Sequence, residues 1–103
     1  MPMLQRDIVH KLYDILADVL GGSLMNDGNG GLRRLIRDDI KLDSKLIDDL
    51  RADDIDLQEI TVHVEKGFDL VVDDWDAQYW YRVTDIVDYL YARLNDYPLP
   101  EHP

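Results

Sequence analysis

Apolar side chains recur at intervals of three and four residues through the first twenty positions of this 103-residue chain. That spacing places them on one face of an α-helix and leaves polar residues largely on the other face. The repeating side chains are Leu4, Ile8, Leu12, Ile15, Leu16 and Val19. Gly21-Gly22 predicts the end of this helix, which therefore covers Leu4–Leu20. Such a helix must bury its apolar stripe against other elements, so the chain requires a packed core.

Composition and charge limit the classes of function. The chain has 22 Asp and Glu against 11 Lys and Arg, a net charge of −11, yet it is 46% hydrophobic, which predicts one folded domain rather than an acidic disordered tail. Nucleic-acid binding is excluded because phosphate contacts need a basic surface, and a protein partner with a basic patch is favoured. The absence of cysteine excludes disulfides and thiol catalysis. Without a membrane-spanning run or an apolar leader, we expect a cytoplasmic monomer.

Five of the six glycines lie between residues 21 and 31, which predicts a flexible loop after the first helix. The stretch does not match a calcium-binding loop, because its sixth and twelfth positions would be Leu32 and Asp38 rather than Gly and Glu. Residues 32–37 are predicted to form a short helical turn. Its arginines, the only basic cluster in the chain, are expected to pair with the two aspartates that follow.

The residue pattern in the middle of the chain allows two structures. Residues 60–65 alternate apolar and polar side chains, a period typical of a half-buried strand, and Phe68–Val72 would be the second strand of a hairpin. Asp53-Asp54 instead resembles the N-terminus of a helix, where carboxylates accept free backbone N–H groups. Upstream, three apolar residues are predicted to be buried anchors: Leu46, Ile47 and Leu50.

The last third of the chain is rich in aromatic residues and ends in an amphipathic pattern. A final helix is predicted over Thr84–Asn95, with Thr84 as its N-cap, and residues 98–103 are predicted to be a flexible tail. We expect Trp80 and Ala77 to lie in the core. An exposed aromatic group that includes Trp75 would suit a protein interface, whereas core packing is the favoured interpretation for each of these rings taken singly.

Residues 46–60 resemble the acyl carrier protein family. In that family an apolar residue, an acidic pair and Leu precede a short Gly-Ala-like turn, and Asp-Ser-Leu-Asp then opens the second helix. The corresponding residues here are Ile47-Asp48-Asp49-Leu50-Arg51-Ala52-Asp53-Asp54-Ile55-Asp56. Later features keep the family's order, including Glu65, Phe68-Asp69 and Ile86–Leu90, so that about four-fifths of the chain is covered.

The resemblance implies an all-α fold, a four-helix bundle with an extended glycine-rich loop after helix 1. It resolves the middle of the chain in favour of a helix. The implied helices are Leu4–Leu20, Asp54–Lys66, Asp74–Tyr79 and Thr84–Asn95. They form a single domain over residues 1–97, in which residues 21–37 are an insertion.

Family members carry 4′-phosphopantetheine on the serine that opens the second helix, and the resemblance places Asp54 at that position. A carboxylate cannot replace the hydroxyl, because transfer requires an alcohol oxygen to attack the pyrophosphate of coenzyme A. The product at Asp54 would be a labile acyl phosphate. We therefore expect no cofactor unless a serine occupied position 54. Two roles remain open for Asp54: an N-cap that stabilises the helix, or an imitation of the phosphodiester of a modified carrier.

The resemblance also implies that the acidic second helix docks onto Lys/Arg patches of partner proteins, such as acyl-transfer or biosynthetic enzymes. The other interpretation is an acidic face that is merely solvated. The predicted partner-binding residues are Asp48, Asp49, Asp53, Asp56, Glu59 and Trp75. His63, four residues after Glu59, is more typical of a surface histidine than of a metal ligand.

Two functions follow from these residues. The leading hypothesis is a non-catalytic, carrier-like interaction protein that docks to a basic partner. The alternative is a genuine carrier of fatty-acid, polyketide or related biosynthesis whose attachment serine is replaced in this chain. An enzyme is not expected, because the sequence offers no activated nucleophile, acid–base pair or metal set.

Overall fold

The computed structural model of the protein describes residues 3–96, 98 and 99. Its helices are α1 (Gln5–Leu20), α2 (Asp54–Phe68), α3 (Asp74–Ala77) and α4 (Val83–Leu94), and its strands are β1 (Leu24–Asn26) and β2 (Leu32–Arg34). The predicted four-helix fold is confirmed, and each helix begins and ends within two residues of its predicted limits. None of the helices in the described part of the chain is both long and apolar enough to cross a membrane.

The core lies where α1 packs against both α2 and α4. Ile8, Leu12 and Leu16 of α1 are fully buried, as the apolar periodicity predicts. The segment between the insertion and α2 contributes Leu46 and Leu50 to the same core. Ile47, the third predicted anchor, is 56% exposed, so that prediction was wrong.

Helix α2 replaces the strand pair that the alternation of residues 60–65 suggested. Its buried side chains are Ile60, Val64 and Phe68, spaced four residues apart as one stripe of a helix, whereas Val62 is 44% exposed. The apolar neighbours on α1 therefore select the helix and override the preference of β-branched residues for strands. The helix ends at Phe68 and is capped by Asp69, which has a left-handed conformation with φ 53°.

Helix α4 does not begin as the sequence suggests. Thr84 is the second residue of the helix, and its N–H donates to the carbonyl of Leu42 at 2.9 Å, so the predicted Thr84 cap is wrong. The carboxylate of Asp85 accepts from the N–H groups of Tyr81 (2.9 Å) and Arg82 (2.7 Å) instead. The residues just before α4, ending at Arg82, stay extended because Arg82 forms an antiparallel bridge with Lys45.

The glycine-rich insertion contains a hairpin where the sequence predicted a flexible loop, and the helical turn predicted over residues 32–37 is instead a short 3-10 helix at Arg37–Asp39. Strands β1 and β2 are antiparallel, with Met25 opposite Arg33. The turn between them is closed by Asp27, whose Oδ1 accepts from the N–H groups of Asn29 (2.7 Å) and Gly31 (3.0 Å). These hydrogen bonds lower the pKa of the Asp27 carboxyl. Gly28 and Gly30 provide the positive φ angles that the turn needs.

Two arginines fix the C-terminal end of the insertion. The guanidinium of Arg33 donates to both carboxylate oxygens of Asp39 (2.8 and 2.5 Å), a pairing that the sequence predicted. Arg37 pairs instead with Asp14 of α1 (2.7 Å) and lies over the ring of Tyr13. Ion pairs therefore join the insertion both to α1 and to Asp39, just after its C-terminal end.

Of the predicted flexible tail, only residues 98 and 99 are among the described residues, and the Leu99 side chain packs against the core. Residues 100–103 lie outside the described part, as does Tyr97, the predicted end of the domain. The limits of the domain and of the tail remain predictions.

The Arg33–Asp39 pair predicts a pH dependence of stability. Hydrogen bonds from Arg33 and from the N–H of Ile36 lower the pKa of Asp39 to about 2. The folded pKa is below the unfolded value, so this stabilisation is complete above pH ~4 and is lost as the pH falls through about 2. Asp39→Asn should therefore lower the free energy of unfolding by about 0.5–1 kcal/mol at pH 7, the upper range for exposed pairs.

Urea unfolding of the two proteins between pH 7 and pH 2 tests this expectation. The difference between them should be constant down to about pH 4 and should disappear near pH 2. A difference that does not change across this range would show that Asp39 acts through something other than its charge.

Arg51 predicts a stabilising substitution. It has φ 63°, a left-handed conformation that costs a residue with a β-carbon about 1–2 kcal/mol, whereas glycine adopts it freely. The greater freedom of glycine in the unfolded chain offsets part of that gain. We expect Arg51→Gly to raise the free energy of unfolding by about 0.5–1 kcal/mol in urea titrations, and Arg51→Ala to give no such increase.

Candidate functional site: the exposed surface of helix α2

The carboxylate at position 54 stands at the start of α2 without an internal partner. Asp53 is the N-cap: its Oδ1 accepts from the N–H of Asp56 (2.8 Å), and Asp56 Oδ2 accepts from the N–H of Asp53 (3.1 Å). Asp54 is the first helical residue, is exposed, and makes no hydrogen bond or ion pair to the described residues. The interpretation of Asp54 as the cap is therefore wrong, although its charge is favourable at a helix N-terminus.

No hydroxyl group takes the place of Asp54 along this stretch, because residues 45–60 contain no Ser, Thr or Tyr. Ser44 is buried, and its Oγ accepts from the N–H of Lys41 at 2.9 Å. Thr61 lies two turns into α2, where its hydroxyl donates to the carbonyl of Leu57 at 3.0 Å. Both hydroxyls therefore serve local structure.

The predicted partner-binding carboxylates form two groups. Asp49, Asp53 and Asp56 accept hydrogen bonds from backbone N–H groups, in the case of Asp49 from Lys45 at 2.8 Å. The carboxylates of Asp48, Asp54 and Glu59 are exposed and bond to no other described residue. The first group holds the turn and the helix start in place, whereas the second is available to a partner.

Apolar side chains are exposed among these carboxylates, and none of them was among the predicted partner-binding residues. Ile55 is 66% exposed and Val62 is 44% exposed, and Glu59 lies between them on the same face of α2. Ile47 precedes them in the turn. The sequence could have indicated that Ile55 and Val62 are exposed, because both fall outside the stripe of buried side chains that begins at Ile60. We call the exposed side chains of residues 47–62 the α2 surface.

The aromatic residues of this region are divided between the surface and the edge of the core, and core packing, the favoured interpretation for each ring, does not hold for Trp75. Trp75 of α3 is 58% exposed, and its ring centroid lies 5.7 Å from that of Tyr79 in an edge-on arrangement. Ala77 and Trp80 are partly buried against the core, where Trp80 meets the ring of Tyr89 at 5.4 Å. The structure thus leaves Trp75 accessible to a partner.

An apolar groove of about 490 Å³ separates α2 from α3. Its floor and walls include Leu46, Leu57, Ile60, Ala77 and Trp80, with polar groups at the rim. The indole nitrogen of Trp80 is buried and has no hydrogen-bond partner among the described residues. The groove opens beside the α2 surface, because residues of α2 line it on one side.

No group of three or more His, Asp or Glu side chains in the described part of the chain is arranged to hold a metal ion. His63 is exposed on α2. The exposed carboxylates and apolar side chains of the α2 surface offer charge complementarity and apolar contact.

Comparison with known proteins identifies the fold family. Over 89 residues the chain is 32% identical to an acyl carrier protein of Clostridium acetobutylicum, an alignment that covers 86% of this chain and 99% of that protein. It is also 32% identical over 88 residues to one from Chlorobium phaeobacteroides, covering 85% of this chain and 96% of the relative. A third, from Campylobacter lari, is 38% identical over 53 residues, which are 52% of this chain and 69% of the relative.

No family model matches the sequence. The two long alignments nevertheless cover almost the whole of each relative, and the helices and turns that they span are those described above. This chain therefore belongs to the acyl carrier protein family and is an acyl-carrier-like protein.

Proposed function

We propose that this protein is a non-catalytic member of the family that docks to a basic protein partner through the α2 surface and does not carry 4′-phosphopantetheine. The observation that carries the proposal is the exposed carboxylate of Asp54 at the start of α2, where the family has the serine that carries the group. The residues present do not fit the attachment of that group, because residues 45–60 contain no alcohol oxygen.

Electrostatics support the docking part of the proposal. Residues 47–62 contain six carboxylates and one cation, in a chain whose net charge is −11. Three of these carboxylates are free of internal bonds, so a partner's Lys or Arg could pair with them without breaking the fold. Charges of this kind accelerate encounter and set the orientation of the complex.

Apolar contacts would raise the affinity of the complex once these charges have attracted the partner. Ile55 and Val62 flank Glu59, and Ile47 and Trp75 are each more than half exposed. Exposed apolar side chains rimmed by charge are typical of protein interfaces, whose buried centres are depleted of charged residues. The same surface therefore combines anionic groups that steer a basic partner with apolar groups that desolvate on contact.

The alternative, a genuine carrier whose attachment serine is replaced in this chain, is favoured by one observation. The groove between α2 and α3 has an apolar interior of about 490 Å³. A single experiment distinguishes the two functions.

We predict that incubation with coenzyme A and a phosphopantetheinyl transferase of broad substrate range leaves the intact mass of this protein unchanged. A carboxylate cannot form the stable phosphodiester, so Asp54 offers no attachment point. The Asp54→Ser variant, treated in parallel, should gain the mass of one phosphopantetheine group.

Asp54→Asn is the matched control, since it removes the charge without supplying a hydroxyl. An adduct on the unaltered chain would contradict the proposal that the protein is not a carrier. Failure of the Asp54→Ser variant to react would show that the surface around position 54 is no longer recognised.

The Asp54→Ser variant also provides a quantitative assay of docking. We expect Asp48→Lys and Glu59→Lys together to lower kcat/KM for the transferase about tenfold at low salt, because favourable steering charges become repulsive. The effect should shrink as salt is added, because exposed charges are screened. Asp53 and Asp56 are avoided because their substitution would weaken the start of α2.

The matched control carries Asp18→Lys and Asp88→Lys, exposed positions on α1 and α4, and has the same net charge. It should react at nearly the rate of the Asp54→Ser parent. Equal losses in the two variants would mean that total charge, rather than the α2 surface, governs the encounter.

A further inference from the structure

Arg51 is in an unfavourable backbone conformation within the α2 surface. Three described residues other than glycine have positive φ, and two of them, Asp69 and Asp96, are aspartates just after helices, where short polar side chains tolerate this region. Arg51 has no such local advantage, and its N–H serves only the preceding turn by donating to the carbonyl of Ile47 at 3.1 Å. The arginine side chain is thus present at a position where glycine is the stable choice.

The charge of Arg51 is not used inside the protein. Its side chain is exposed, and it forms no ion pair or hydrogen bond with the described residues, although carboxylates lie three residues away on both sides at Asp48 and Asp54. It is also the only cation among residues 47–62. An arginine that stabilised the fold by neutralising its acidic surroundings would be paired with one of them.

A lone cation changes which partner this surface accepts. Against a uniformly basic patch, Arg51 would face Lys or Arg and weaken binding, because like charges at an interface are costly. Against a basic patch interrupted by one carboxylate, it would gain a pair in which its planar guanidinium can make two hydrogen bonds. With this second kind of partner, the carboxylates of the α2 surface and Arg51 would all face groups of opposite charge.

We propose that Arg51 is the specificity-determining residue of the α2 surface and pairs with an Asp or Glu side chain set within the partner's basic patch. This inference rests on the proposed docking function. It adds that the partner's surface has mixed charge in a fixed pattern, with lysines opposite Asp54 and Glu59 and a carboxylate opposite Arg51.

Zero-length coupling with a carbodiimide, which joins a carboxylate to an amine in contact with it, tests the pattern in a lysate of the source cells. The bait is the full chain with Arg51→Lys, which keeps the cation and supplies the amine. We expect cross-linked peptides that join the carboxylates of Asp54 or Glu59 to partner lysines. The substituted position 51 should be joined to an Asp or Glu of the same partner. Arg34→Lys, at an exposed arginine of the hairpin without an ion pair, is the matched control and should not couple to this partner.

The failures of the two proposals are distinguishable. Coupling of Asp54 and Glu59 without coupling at position 51 would overturn the role of Arg51 and leave docking supported. Absence of partner coupling from Asp54 and Glu59 would overturn the docking proposal, and the role of Arg51 with it.

A second measurement separates specificity from structure. Arg51→Gly removes the cation and also the backbone strain, so its urea midpoint should rise while the amount of partner captured falls about fivefold, the upper loss expected for one exposed charge pair. A purely structural role would move stability and capture in the same direction. Capture that is unchanged or increased in Arg51→Gly would overturn the inference.

Discussion

The burial of one stripe of α1 is the interaction on which the other elements depend. Ile8, Leu12 and Leu16 are removed from water where α1 packs against both α2 and α4, so this one stripe joins the three long helices in a single core. This packing also decides the conformation of residues 60–65. As a strand they would present Ile60, Val62 and Val64 on one face, whereas as a helix they bury Ile60 and Val64 and leave Val62 44% exposed.

Once α2 is a helix, its first turn fixes the chemistry of the surface. Asp53 and Asp56 satisfy each other's backbone N–H groups, which frees Asp54 from any role as a cap. An acidic stretch that looks uniform in sequence therefore contains carboxylates with different tasks. Those bound to backbone groups hold the helix start in place, and those without internal partners are the ones that the proposed docking to a basic protein would use. Asp54 belongs to the second group.

The insertion shows how local chemistry can order a glycine-rich segment. Asp27 closes the turn with two hydrogen bonds, and the positive φ angles of Gly28 and Gly30 allow the strands to return antiparallel. Arg37 then joins the end of the insertion to Asp14. Composition suggests flexibility because glycine is permissive, but composition does not reveal that a neighbouring carboxylate and a distant acid on α1 select one conformation.

The amino-acid sequence was sufficient to predict the helical periodicity of α1 and α4, the acidic charge and the resemblance of residues 46–60 to the acyl carrier protein family. These are properties of spacing along the chain. The residue pattern left residues 60–65 open between strand and helix, and only the resemblance favoured the helix. The packed structure was needed to show that Ile47 faces solvent, that Thr84 lies within α4 and that Arg51 is left-handed and forms no ion pair with the described residues. Each of these outcomes depends on which distant groups compete for a side chain or a backbone N–H, and that competition is settled only when the helices pack.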